Sequence, residues 1–124
     1  MMQHLASFLC VAAGGALGAS LRYAISLLPC QGLFPVLTLF INFAGAICMG
    51  AIVGFANGNL SPNWQLFLKV GLCGGFTTFS TFSMEAFSLL KNGHTAIAAA
   101  YIILSVALCL FGVWGGFAAT GRMQ

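Results

Sequence analysis

Polar and apolar positions divide this chain into four long apolar runs separated by short polar punctuation. From residue 4 to residue 28 no charge occurs before Arg22, and Pro29 stops the run. A proline cannot continue a helix, because it lacks the N–H and clashes with the preceding turn. Pro35 opens a second run, to about residue 56, that carries no charge at all. Residues 57–63 read as a turn by composition, with Ser61 as an N-cap and Pro62 as the first residue of the next helix. A third run covers about residues 63–90 and is closed by Lys91-Asn92-Gly93-His94, a C-terminal cation followed by a glycine stop. The fourth run covers residues 95–119. A helix needs about 20 residues to cross a bilayer, so the pattern predicts four transmembrane helices in a single domain spanning residues 1–124.

The third run departs from its neighbours. It is longer than a span requires, and residues 71–85 pack glycines, hydroxyls and aromatics into an apolar setting: Gly71, Gly74 and Gly75, then Thr77, Thr78, Ser80, Thr81 and Ser83. Glu85, the chain's one acidic residue, closes the stretch. Glycines weaken a helix, and hydroxyls inside a membrane need partners that water does not supply. Broken helices are tolerated at membrane depth where they are buried in protein or line a cavity, and there they bind ions. The stretch therefore predicts a helix broken near Gly74-Gly75 with an ion or polar-solute site at the break. Its plainer reading is a kinked helix whose Ser and Thr bond back to their own carbonyls.

Composition fixes the class. Of 124 residues 60% are hydrophobic and 4% charged, against roughly 25% charged in soluble domains. Such a chain cannot cover a water-facing surface, so it is expected to be an all-α integral membrane protein in a lipid bilayer. The net charge of +3 comes from scattered residues that form no basic stripe, and nucleic acid is excluded as a partner. Cys10, Cys30, Cys48, Cys73 and Cys109 form no paired spacing and read as small hydrophobes. The first run lacks a basic leader and is read as a retained helix. No acid–base pair, catalytic triad or metal-ligand cluster points to an enzyme.

Several single residues carry candidate chemistry. Arg22 near the end of the first span reads either as a snorkelling interfacial arginine or as one that attracts an anion. Thr38 and Asn42 lie one turn apart on the second span. The Asn42 amide either joins helices or donates to a passing anion. Tyr101 and Ser105 lie one turn apart on the last span and are its main polar side chains. His4 and His94 sit at span ends and read as interfacial. A small-x-x-x-small pattern recurs as Gly14/Gly18, Gly50/Gly54, Gly71/Gly75 and Gly112/Gly116, which predicts close helix association within and between chains.

Cations on loops favour the cytoplasmic side. Here Lys69 and Arg122 stand on the side of the N-terminus and Arg22 and Lys91 on the other. The balance predicts insertion in both orientations. An antiparallel pair of identical chains would reproduce the inverted repeat of larger transporters. Four short helices have too little material to enclose a pathway alone, which also predicts a homodimer.

Three motifs, Gly14-Gly15-Ala16-Leu17-Gly18-Ala19-Ser20-Leu21-Arg22-Tyr23, Thr38-Leu39-Phe40-Ile41-Asn42 and Gly74-Gly75-Phe76-Thr77-Thr78-Phe79-Ser80-Thr81-Phe82-Ser83-Met84-Glu85, resemble those of the Fluc/CrcB family of small bacterial fluoride channels. The resemblance covers nearly the whole chain. It implies a dual-topology homodimer in the bacterial inner membrane, with two antiparallel pores for passive export of fluoride from the cytoplasm. It also implies a structural sodium ion (Na+) on the dimer axis, held by backbone carbonyls of Gly74 and Thr77 from both subunits. Phe79 and Phe82 correspond to the paired pore phenylalanines, Ser80 and Thr81 to the hydroxyl track, and Tyr101 to its fourth-helix member. Asn42 matches the second-helix asparagine, Glu85 the glutamate near the pore, and Arg22 the vestibule arginine.

The chemistry suits that assignment. Fluoride holds its water tightly, so a pore must replace water with donors, and Asn42, Ser80, Thr81 and Tyr101 can supply them. Phenyl edges are electropositive, and Phe79 and Phe82, three residues apart, share a helical face and could offer edges to an anion between them. By spacing alone that pair would read as packed core. Glu85 would repel an anion if ionised, so it is expected either protonated or accepting bonds from hydroxyls. Two other classes compete. A small multidrug resistance type of proton-coupled exporter needs a carboxylate in its first span, and this chain has none there. A non-transporting assembly subunit would show no flux.

Overall fold

The computed structural model describes residues 2–56 and 58–121, and every regular element among them is helical. Helix α1 runs Met2–Ser26 and α2 Val36–Phe55. A short α3, Pro62–Gln65, passes into a π-helical stretch, Leu66–Cys73, and then into α4, Gly74–Phe76. Thr77 and Thr78 are extended. Then α5, Phe79–Lys91, and α6, Thr95–Thr120, complete the chain. His4–Ser26, Val36–Phe55 and Thr95–Thr120 are long and apolar enough to cross a membrane, with mean hydropathy of 1.5, 2.2 and 2.5. The third expected span is divided into two shorter halves. The chain is an all-α membrane protein with several crossings.

Local chemistry sets the ends. Before Pro29, α1 tightens through bonds from Leu27 N–H to Ala24 O and Leu28 N–H to Ile25 O. Ser61 is the residue before α3 and Pro62 its first, as the sequence predicts, but the Ser61 hydroxyl caps nothing. Gln65 instead closes that turn by donating to Leu60 O. At the end of α5, Gly93 takes φ +81°, a conformation that costs glycine little. Its N–H reaches Leu90 O, and the next N–H, of His94, reaches Leu89 O. This is a Schellman ending, which satisfies carbonyls that the helix leaves open. Asn57 and Arg122, assigned above to a turn and to the charge balance, lie outside the described residues.

The glycine pairs decide how the helices meet. A Cβ on Gly14 would meet Phe67 O, Leu72 N and Gly71 Cα, and one on Gly18 would meet Leu72 O and Phe76 N. A Cβ on Gly75 would meet Gly15 O and Ala19 N. Rising numbers on α1 therefore face rising numbers on residues 67–76, and the two run parallel in backbone contact. On the other side, Gly50 meets Val113 O, Gly54 meets Phe117 O and Thr120 Oγ1, and Gly116 meets Ile47 O and Ala51 N. Helices α2 and α6 are thus a second parallel pair. All four small-residue patterns serve contacts inside the chain.

A small core joins α5 to α6, with Phe82, Ala86, Leu89, Ala98 and Tyr101 buried together and Phe34, Leu39 and Ile97 against them. Elsewhere large apolar side chains face outward, Phe8, Leu110, Phe111 and Trp114 among them. A soluble protein rarely exposes so much apolar surface. Here it suits lipid.

Candidate functional site

The break between α4 and α5 is held from α2. Thr78 donates its backbone N–H to Asn42 Oδ1 at 2.8 Å, and Asn42 Nδ2 donates to Thr78 O at 3.1 Å. One side chain thereby satisfies both backbone groups of an extended residue at membrane depth, where leaving them open would be costly. Of the two roles open to Asn42, joining the helices is the one the geometry exhibits. An amide nitrogen carries two protons, so one N–H remains for a ligand. Thr78 is also the N-cap of α5, its Oγ1 accepting Thr81 N–H at 3.3 Å while donating to Thr81 Oγ1 at 2.9 Å.

The same arrangement frees carbonyls. In a continuous helix Gly74 O would take the Thr78 N–H and Thr77 O the Thr81 N–H. Asn42 takes the first and Thr78 Oγ1 the second. The break falls at Thr77-Thr78 rather than at the glycines, which remain helical. Gly75 is small because α1 lies against it, not because the helix must open there. Arg22 donates from Nε to Gly75 O at 3.1 Å, placing a cation at the carbonyl end of α4, where the helix dipole favours one. Thr77 and Ser83 bond back to Cys73 O and Phe79 O, each at 2.9 Å, as the plainer reading of the stretch has it.

A second cluster surrounds Glu85. Thr38 Oγ1 donates to its Oε1 at 2.9 Å, and Tyr101 OH to its Oε2 at 2.7 Å. The carboxylate therefore joins α2, α5 and α6 and accepts from hydroxyls, one of the two states open to it from sequence. Tyr101 is fully buried, and its one proton is directed at Glu85, so none is left for an anion in this arrangement. Phe34 meets the Tyr101 ring edge-on at 5.5 Å, and Phe82 lies 5.2 Å from it. Phe79 and Phe82 have centroids 5.4 Å apart at 43°. That is direct ring contact. Phe82 is buried and Phe79 is 77% exposed.

Asn42, Thr77, Thr78, Phe79 and Phe82 border a cavity of about 400 Å³ between α2, α6 and the break. Ser80, Thr81 and Tyr101 do not border it. Ser80 and Thr81 stand exposed beside Thr78, with Ser80 Oγ 3.4 Å from Thr78 Oγ1. Glu85 lies instead on a smaller cavity of about 290 Å³ with Ser88, Asn92 and His94. Ser105 is the member that sequence reasoning left out of the site. It borders the larger cavity, is 5% exposed, and its Oγ has no hydrogen-bond partner. An unsatisfied buried hydroxyl costs about 1–3 kcal/mol. The i, i+4, i+8 spacing of Tyr101, Ser105 and Cys109 was the available signal.

Comparison with known proteins bears on what this arrangement serves. The sequence model described as CrcB-like protein, Camphor Resistance (CrcB), matches residues 9–117. The fluoride-specific ion channel FluC of Rhodospirillum rubrum is 44% identical over 117 residues, 89% of this chain and 91% of that one. The protein of that name from Pyrococcus horikoshii is 45% identical over 107 residues, 84% of this chain and 87% of that one. The one from Shewanella amazonensis is 45% identical over 110 residues, 86% and 89%. With the broken helix and most of both parallel helix pairs inside the matched range, this chain belongs to the CrcB-like family.

Proposed function

We propose that the chain is a fluoride-selective channel that lets fluoride leave the cytoplasm passively. The observation that carries this reading is the 400 Å³ cavity, whose lining includes Asn42, Phe79, Phe82 and Ser105 and no acidic residue. Donors and electropositive ring edges favour an anion. The names carried by the relatives supply the anion's identity.

The working unit is an antiparallel homodimer in which α3 to α5 cross as one broken span, giving two pores. Its support is the apolar outer face, with Phe79 presented outward, and the near balance of cations at the two ends of the spans. Ser80 and Thr81, exposed in one protomer, then face the pathway. The carbonyls of Gly74 and Thr77, relieved of their helical partners, suit a hard cation such as sodium. Bound between two copies, the ion would add positive charge beside the anion path. Arg22, fixed on Gly75 O, holds its charge near the same end of α4.

Purified protein in liposomes, with efflux followed by fluoride- and chloride-selective electrodes, tests the proposal. Fast passive fluoride release with chloride retained is expected. A folded, assembled sample without fluoride efflux would overturn it. Proton-coupled uptake of organic cations would instead favour the exporter class, against which stands the engagement of both Glu85 oxygens by hydroxyls.

A further inference from the structure

We propose that Phe34, in the linker between α1 and α2, is a positioning residue for the anion pathway. Its ring holds Tyr101 in place, and Tyr101 in turn fixes the Glu85 carboxylate and the Phe82 ring. The effect on flux rests on the channel reading above. The positioning of Tyr101 does not.

Four rings lie in one row. Phe34 meets Tyr101 at a centroid distance of 5.5 Å and an interplanar angle of 82°, Tyr101 lies 5.2 Å from Phe82, and Phe82 lies 5.4 Å from Phe79. The row leads from the linker to the two phenylalanines on the larger cavity. Its second ring carries the hydroxyl that donates to Glu85 Oε2 at 2.7 Å. A tyrosine redirects its hydroxyl by changing between staggered side-chain conformers. Tyr101 is fully buried, so such a change requires a neighbouring ring to yield. Phe82 is itself buried within α5, whereas Phe34 is half-buried and comes from outside the helices.

The linker is fixed at that point. Pro35 has φ −76° and ψ 71°, the conformation of an inverse γ-turn, and Val36 N–H closes the turn by donating to Phe34 O at 2.8 Å. The proline ring restricts φ, and Pro35 O accepts the Leu39 N–H at 3.2 Å, which ties the turn to α2. Thr38, in the first turn of α2, donates to Glu85 Oε1 at 2.9 Å. The start of α2 therefore reaches Glu85 twice, directly through Thr38 and indirectly through the contact of Phe34 with Tyr101. Leu33 and Pro35, on either side of Phe34, also wall the smaller cavity onto which Glu85 opens. Without the Phe34 ring, Tyr101 gains room to leave Glu85, and Phe82 loses a fixed neighbour behind the face it presents to the larger cavity. A carboxylate with fewer donors repels an anion more strongly, so both changes oppose passage.

Glu85 is the one acidic residue and the tyrosines are two, which makes the test specific. Carboxyl-labelled glutamate marks Glu85 alone, and a Tyr23→Phe background leaves Tyr101 as the one tyrosine. Infrared spectra of the full chain in liposomes then follow the Glu85 carboxylate stretch and the Tyr101 phenol C–O stretch, which moves when the hydroxyl stops donating. Phe34→Ala, Phe34→Leu and Phe34→Tyr are compared in that background, with fluoride efflux measured on the same preparations. Phe34→Ala and Phe34→Leu should shift both bands and slow efflux by about two- to tenfold, the equivalent of one lost edge-on ring contact. Phe34→Tyr keeps the ring and should leave bands and efflux as in the background protein. Unshifted bands in Phe34→Leu, which keeps apolar bulk, would overturn the inference, as would Phe34→Tyr behaving like Phe34→Leu. Shifted bands with full efflux would overturn the role in the pathway. If Phe34→Ala fails to fold, Phe34→Leu decides. If the chain conducts no fluoride, the two bands still decide whether Phe34 positions Tyr101, so the two readings fail separately.

Discussion

Neighbouring glycines on α6 allow the helix pairing to be tested against its own control. Gly115 has nothing within 4 Å of a built Cβ, whereas a Cβ on Gly116 would meet Ile47 O, with Ala51 N at 2.8 Å and Ile47 C at 3.0 Å. Those atoms are backbone of α2, so no rotamer change relieves the clash and one helix must move. Overpacking of this kind costs about 1–3 kcal/mol. Alanine regains about 1 kcal/mol of helix propensity over glycine at either position, so that gain cancels in the comparison. Gly116→Ala should therefore be less stable than Gly115→Ala by about 1–3 kcal/mol. This is roughly five- to 150-fold in the unfolding equilibrium, at about 1.4 kcal/mol per tenfold. Unfolding in mixed micelles of dodecyl maltoside and SDS, followed by the fluorescence of Trp64 and Trp114, measures the difference. Gly14→Ala against Gly15→Ala repeats the design on α1, where Gly14 meets Leu72 N at 2.9 Å and Gly15 meets nothing. Equal stability within both pairs would refute the parallel backbone-contact packing of α1 on residues 67–76 and of α2 on α6.

Asn42→Ala leaves both backbone groups of Thr78 without their partner and should lower stability by about 1–3 kcal/mol in the same assay, with faster amide exchange at Thr78. Glu85→Gln replaces one acceptor oxygen by a donor, so either Thr38 or Tyr101 loses its acceptor. A loss of about 1–3 kcal/mol is expected, read as a lower unfolding midpoint in SDS. Phe79→Ile changes a side chain that is 77% exposed, so it should abolish or greatly reduce fluoride efflux while the unfolding midpoint barely moves. Full efflux in that variant would remove Phe79 from the pathway.

Local pattern in the sequence determined the class and most of the element ends. Hydropathy and proline placement located α1, α2 and α6 to within two residues, because membrane crossing depends on length and apolarity alone. Gly93 marked the end of α5, because a Schellman ending is a property of a few consecutive residues. The hydroxyl-rich stretch marked the break to within a few residues. It could not show that the break falls at Thr77-Thr78, since that is settled by Asn42, 36 positions away in sequence. Nor did local pattern reveal the π-helical stretch Leu66–Cys73.

Tertiary structure decided which donors are spent and which are free. Asn42 and Tyr101 read as donors toward a passing ion, and Thr38 as a tuning residue one turn from Asn42. Packing directs one Asn42 proton to Thr78 and both hydroxyls to Glu85, while Ser105, not singled out as a site residue from sequence, is left buried without a partner. The glycine pairs show the same division. Their spacing announced close helix contact, but only the fold showed that α1 pairs with residues 67–76 and α2 with α6. Hydrogen-bond partnership and helix pairing are long-range properties. A polar side chain keeps its chemistry wherever it sits, but whether that chemistry is available depends on which distant backbone or carboxylate reaches it first.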